Sequence, residues 1–366
     1  MSYTLYGVEF SYYTGKLRAY LRYKQIPFVD KMATAWQYKR FIVPRTGAAY
    51  IPVLRTPQDE ALQDTSTIID IMEQRVAERC IWPQSPVQRV VASLLEVYGD
   101  EWMLFPALHY RWGYLDQQYD YLMEAFGSVV HPRLPKRLKR HFGKKLSARF
   151  RNGIVKLGIT PITKPVIESR FHELLYTLNS HFADHDYLLG SRPCIGDFAL
   201  AGPIGAHLCR DPVPAKIVAA KAPWVVRWIE RIYSAQQPEG EFLPDDEIPE
   251  TLLPLLQQLF EDMMPTLLDT VAVVQKWVAD NPERKQLPRV VGELRFRICQ
   301  VEESRAVQPY SQWMLQRPLD IYDALADDDQ VAVDSFFHER GWMSPGELNL
   351  PVRLGKQDNM LIVSGR

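Results

Sequence analysis

What most constrains this chain is the place where its hydrophobic period changes. Up to residue 76, short apolar runs of strand character alternate with helical spacing. From residue 87 the spacing is helical only, and strand alternation does not return until Glu293. Two successive stretches with such different periods imply two layers of different construction, an α/β domain first and an all-helical one after it.

Within the first stretch, residues 4–9 (TLYGVE) read as a strand, Tyr12–Gly15 as a turn and Lys16–Lys24 as a helix with Leu17, Tyr20 and Leu21 on one face. Phe28–Met32, Tyr50–Arg55 and Ala61–Gln63 read as further strands, the second entered through Pro52. Asp64, Thr65 and Ser66 stand ahead of Ile68, Ile69, Ile71, Met72 and Val76. Oxygen-bearing side chains before an apolar-periodic run mark a helix start. The order is βαβ, a helical or irregular link, then ββα, which is that of a thioredoxin-like domain.

The helical stretch carries clean stripes at Val87–Tyr98, Phe171–Phe182 and Trp224–Ile232, and a long run over Leu252–Val278 that Pro265 should kink or split. Cys80–Pro86, holding two prolines, is the natural linker. In the tail, Glu293–Cys299 alternates as a strand with one buried face, residues 305–325 read as helical, and Val352–Leu354 and Met360–Val363 are weaker strands. The expected division is therefore an α/β domain over 1–79, an all-α domain over 87–235 and a mixed C-terminal extension over 236–366.

Of the 366 residues, 46% are hydrophobic and 24% charged, a globular composition. The formal net charge of −1 gives no bulk attraction for nucleic acid or for an anionic membrane. Four scattered cysteines without a C-x-x-C pair argue against a disulfide scaffold, a zinc ribbon or a dithiol centre. With neither a signal peptide nor a membrane span in the pattern, a cytoplasmic location is expected. Arg133–Lys164 is an exception to the charge balance, with eleven Lys and Arg and no acid. It reads as a solvated insertion near 131–164, the usual fate of a charge run, or else as a patch for an anionic surface. His181 and His185 have the spacing of two metal ligands on a helix, but no third ligand motif accompanies them, and no metal is expected. Tyr98, Trp102, Tyr110 and Trp112 are core residues or lining for an apolar pocket.

Three separated segments carry chemistry if they converge. Ser11, Tyr12, Tyr13 and Thr14 put hydroxyls between the first strand and the first helix, where the positive end of the helix dipole stabilises an oxyanion or a thiolate. Ile51-Pro52-Val53 is placed to hold a cis proline that turns the backbone of Val53 toward an extended peptide. Asp64 and Thr65, at a helix start, offer N–H groups and a hydroxyl to a carboxylate and an acid to an ammonium group. Together they describe a site for a small peptide with a thiol in its middle and an α-amino acid group at one end. Each also has a plainer reading: Ser11 as a helix cap, Pro52 as a structural turn, Asp64 and Thr65 as an N-cap.

These segments resemble the glutathione transferase family. Ser11-Tyr-Tyr-Thr-Gly-Lys-Leu-Arg is similar to the family's active-site turn, with Ser11 where zeta-type members carry a catalytic serine and omega-type members a cysteine. Ile51-Pro52-Val53-Leu54 is similar to the cis-proline segment, and Asp64-Thr65 to the pair that holds the γ-glutamyl group. Leu188-Leu-Gly-Ser-Arg-Pro-Cys194-Ile-Gly-Asp197 resembles the capping motif of the central helix of the second domain, with Asp197 as its structural acid. The resemblance spans roughly residues 3–235 and implies a glutathione-transferase-like fold and a glutathione-dependent transferase. In that enzyme Ser11, or Tyr6, Tyr12 or Tyr13, activates the glutathione thiol for attack on a small apolar electrophile. A homodimer is also implied. The chain departs from the family where a Gly-Lys usually precedes the proline segment: Gly47-Ala-Ala-Tyr50 stands there, leaving the lysine's contact missing or supplied by Lys39, Arg40 or Arg45. A catalytically silent interaction or regulatory protein is the alternative, and a thiol–disulfide reductase is disfavoured because Ser11 occupies the position of a redox cysteine.

Overall fold

A computed structural model describes residues 2–235 and 238–365. The chain begins β1 (Tyr3–Gly7), α1 (Tyr12–Tyr23) and β2 (Phe28–Met32). Two short helices follow, α2 (Ala35–Gln37) and α3 (Val43–Thr46), then β3 (Val53–Arg55), β4 (Ala61–Gln63) and α4 (Thr65–Arg75). The strands lie in the order β2-β1-β3-β4, with β1 and β2 parallel and β3 antiparallel to both its neighbours. This is the thioredoxin-like arrangement that the sequence order predicts. Leu5, Val53 and Leu54 of the sheet are buried, as are Leu17, Tyr20 and Leu21 of α1 and Ile68, Ile69 and Met72 of α4.

Three boundaries differ from the expectation, the first being β1, which spans Tyr3–Gly7 and ends two residues short of Glu9. The helix α1 starts at Tyr12 and absorbs the expected turn, because Ser11 caps it and its Oγ accepts the Thr14 amide at 3.3 Å. The strand β3 starts only at Val53, after a proline that has no N–H to give to a ladder.

The helical stretch comprises α5 (Pro86–Val97), α6 (Leu104–Gly113), α7 (Leu115–Ser128), α8 (Lys136–Gly153) and α9 (Lys164–Asp184). It continues with α10 (Ile195–Pro203), α11 (Pro212–Lys221), α12 (Pro223–Ile232), α13 (Leu253–Gln258) and α14 (Met264–Asp280). Pro265 lies in the first turn of α14, directly after a π turn over Leu259–Met263. The wider turn accommodates a ring that would otherwise crowd the carbonyl four residues back, so the long run is interrupted where the proline predicts. At the start of α10, Asp197 accepts the Cys194 amide at 2.9 Å and the Leu188 amide at 3.1 Å, the structural role expected of it.

The C-terminal extension adds β5 (Gly292–Ile298) and β6 (Val301–Val307), then α15 (Pro309–Asp323), α16 (Asp327–His338), β7 (Arg353–Gln357) and β8 (Met360–Gly365). The strand β5 buries Leu294, Phe296 and Ile298, one face only, and pairs antiparallel with β6. The β7–β8 hairpin turns at Asp358 and Asn359, both left-handed, as a two-residue hairpin loop requires.

The chain packs as two compact units. One holds Met1–Cys80, Met103–Ile154 and Phe198–Glu239; the other holds Ile81–Trp102, Val155–Asp197 and Gly240–Arg366. The second gathers α5 and α9 with the extension. Arg317 of α15 pairs with the fully buried Glu96 of α5 at 2.9 Å, Thr160 donates to Glu303 of β6 at 2.7 Å, and Arg170 of α9 pairs with Asp262 at 2.8 Å. The junction expected at 235/236 borders Gln236 and Gln237, which lie outside the described residues. No helix among the described residues is long and apolar enough to cross a membrane.

Candidate functional site

Strand register brings the three segments together. Tyr6 of β1 lies opposite Val53 of β3, and Val53 lies opposite Gln63 of β4, so these residues form one row across the sheet. Since β3 runs against both neighbours, the chain leaves β1 toward Ser11, enters β3 from Pro52 and leaves β4 toward Asp64 at the same end. The Ile51–Pro52 peptide is cis. All seven sequence-predicted positions, Ser11, Tyr12, Tyr13, Pro52, Val53, Asp64 and Thr65, therefore lie in or beside this end of the sheet.

They are not equally open. Ser11 and Tyr13 are half-buried, whereas Tyr12 is buried, its ring tilted against Tyr13 with centroids 4.7 Å apart and edge-on to His207 at 5.7 Å. Tyr6 is also buried, stacked on Phe41. The Ser11 hydroxyl accepts the Thr14 amide, and a hydroxyl that accepts one bond keeps its proton for another acceptor. Capping and donation to a thiolate are thus compatible at one oxygen. Val53 is fully buried between its two partner strands, so only its backbone is in play.

Asp64 occupies a left-handed backbone conformation, φ 78°, and caps α4 by accepting the Thr67 amide at 3.0 Å and the Thr67 hydroxyl at 3.1 Å. Positive φ is unfavourable for a residue with a Cβ, although Asp tolerates it better than most. Thr65, next to it, is buried. Of the basic residues that could replace the family's lysine, Arg45 is engaged with Asp59 at 2.8 Å and lies over the Phe41 ring, while Lys39 and Arg40 are exposed.

Two buried arrangements support this end of the sheet that the motifs did not indicate. Lys16, fully buried in α1, donates to Ser66 of α4 at 3.3 Å and so ties the two helix starts together. Arg111 of α6 donates to both oxygens of the buried Asp211, at 2.6 and 3.0 Å, to the Phe10 carbonyl at 2.9 Å and to the Ala206 carbonyl at 3.1 Å. It also lies 2.7 Å from His207 Nε2. Since a guanidinium only donates, His207 accepts at Nε2 and carries its proton on Nδ1, toward the Ala107 carbonyl. Burial, with the nearby Arg111 charge, holds His207 well below the ordinary histidine range. The Phe10 carbonyl immediately precedes Ser11, and His207 touches Tyr12, so this cluster supports the turn itself. The available signal was a charged residue set in the apolar run Ala107–Tyr114.

Other candidates resolve into structure. Among the described residues no group of three or more His, Cys, Asp or Glu is placed to hold a metal. His181 is occupied by Thr251 at 2.8 Å and the Tyr187 carbonyl at 3.1 Å, and burial pulls it down to about 4. Burial raises the Cys194 thiol well above its ordinary value and pushes Cys209 up to about 12, the opposite of what a reactive thiolate needs. Tyr98, Trp102, Tyr110 and Trp112 are all buried.

Residues 5–79 match the family model described as glutathione S-transferase, N-terminal domain, about a fifth of the chain. The match supports a glutathione-transferase-superfamily fold for this domain. Among solved structures, the chain is similar to the β-etherase LigF from Sphingobium sp. strain SYK-6, with 13% identity over 70% of this chain and 99% of that one and a TM-score of 0.46. It is also similar to a glutathione S-transferase from Methylobacterium radiotolerans in complex with glutathione sulfonate, with 18% identity, 67% and 99% coverage and a TM-score of 0.40. A third is FzlA from C. crescentus, with 18% identity, 68% and 97% coverage and a TM-score of 0.41. None of the curated proteins compared with the chain matches it.

Proposed function

We propose that the chain is a cytoplasmic glutathione-dependent transferase that binds the tripeptide at the Ser11–Pro52–Asp64 end of its sheet. The observation that carries this reading is the row Tyr6–Val53–Gln63, which puts three segments distant in sequence at one edge. The tripeptide lies extended along the backbone of Pro52 and Val53, and its γ-glutamyl group meets the start of α4 at Asp64 and Thr65. Its sulfur lies at the start of α1, where the helix dipole and one hydroxyl proton stabilise the thiolate. Ser11 is the leading donor, because its proton remains to give and its side chain is half-open; Tyr13 is the next, since Tyr6 and Tyr12 are buried. The thiolate attacks a small apolar electrophile, and the active form is a homodimer.

Isothermal titration with glutathione tests the cosubstrate: binding heat and a raised melting temperature are expected, and the absence of both would remove glutathione from the scheme. Ser11→Ala should lower turnover about a hundredfold, the lower end of what a positioned proton donor contributes. It should also lose about 1 kcal/mol of stability with the cap, read by urea unfolding. Unchanged turnover would transfer the role to Tyr13. A second reading, a silent interaction protein, is favoured by one observation: Arg45, one of the residues that would replace the missing lysine, is already paired with Asp59. An absence of both binding heat and turnover selects it.

A further inference from the structure

The basic run that the proposed activity does not use forms one helix with an unusual surface. The helix α8 reads KRLKRHFGKKLSARFRNG, eight Lys and Arg and no acid. It is fastened to α7 at two glycines: a Cβ on Gly127 would fall 1.9 Å from the Lys139 carbonyl oxygen, and one on Gly143 1.9 Å from that of Met123. Arg140 turns toward α7 and pairs with Asp120 at 2.9 Å and Glu124 at 2.7 Å. The remaining charges do otherwise. Lys136, Arg137, Lys144, Lys145 and Arg149 are exposed, and among the described residues none has an acid within ion-pair distance.

Apolar side chains sit among them. Leu138 is 45% exposed, Leu146 40% and Phe150 57%, the last resting one side on Phe126 with centroids 5.7 Å apart. A charge run kept only for solubility has no use for exposed leucines, which are unfavourable in water. A surface that offers anionic headgroups with hydrocarbon beneath them rewards both kinds of residue at once. A nucleic acid rewards the charges and a stacked Phe150, but it has nothing to cover Leu138 and Leu146.

We infer that the exposed face of α8 docks on an anionic phospholipid surface, holding the protein at a membrane peripherally. Lys144, Lys145 and Arg149 meet the headgroups while Leu138 and Leu146 enter the boundary beneath them. The overall charge of −1 does not oppose this, because attraction at a surface is set by charges within about 10 Å at ordinary salt.

Flotation of the full chain with vesicles tests the assignment. Binding is expected to phosphatidylcholine vesicles containing phosphatidylglycerol and not to phosphatidylcholine alone, and it should weaken as salt rises. The variant Lys144→Gln/Lys145→Gln/Arg149→Gln should partition about a hundredfold more weakly. Leu138→Ser/Leu146→Ser should lose about tenfold while keeping the salt dependence. Failure of the wild type to float with anionic vesicles overturns the proposal, as does binding indifferent to the three basic residues. Binding of single-stranded RNA with no flotation assigns the face to nucleic acid instead. Should the triple variant fail to fold, a series of rising phosphatidylglycerol content with the wild type decides the same point.

Discussion

Arg111 is a single buried charge held by Asp211, two carbonyls and a histidine. Breaking such a pair leaves the other charge without compensation. Asp211→Ala should therefore cost about 3–5 kcal/mol in urea unfolding, while Arg111→Met/Asp211→Leu should cost markedly less than that single change. A second prediction concerns protons. Burial lowers both His207 and His181, the latter to about 4 from an ordinary 6.5. In acid the unfolded chain takes up a proton on each histidine that the native chain refuses, so stability is fully present above about pH 6.5 and falls below it. Each contributes up to about 1.4 kcal/mol per pH unit. For His181 the loss is complete near pH 4. Unfolding free energies between about pH 7 and pH 5 should show this slope, and His181→Gln should remove one proton's share of it.

At the scale of elements, α7 and α8 approach so closely that Gly143 faces a backbone carbonyl, which has no rotamer by which to move away. Gly143→Ala should thus destabilise by about 1–3 kcal/mol even though alanine is the better helix former, as chemical denaturation would read. The elements also differ in how far they could be read beforehand. The strand β5 was legible because Leu294, Phe296 and Ile298 alternate with charged residues. Its partner β6, V-E-E-S-R-A-V, was not, since pairing with β5 and not its own pattern makes it a strand. The helix α16 opens with three aspartates in its first turn, the end at which acids complement the helix dipole. At the candidate site, Ser11, Pro52 and Asp64 were readable from local chemistry. Lys16 and Arg111 were not, because a charged residue inside an apolar stripe declares its partner only through tertiary contact.

The whole molecule cannot be trimmed to its first two-thirds. Residues 81–102 and 155–197 belong to the same unit as the extension, and the fully buried Glu96 has its cation, Arg317, beyond residue 240. A chain ending at residue 239 should lose the cooperative unfolding of that unit and bind a hydrophobic dye, rather than persist as a smaller stable protein.

Interleaving also has a cost in time. The helix α5 is complete at Val97, but its packing partner α15 ends at Asp323, 226 residues later (323 minus 97). At a ribosome's pace of about 5–20 residues per second, that apolar face waits on the order of 10–45 seconds for its cover. Apolar surface left open for that long is prone to aggregate, the hazard that chaperones counter during synthesis.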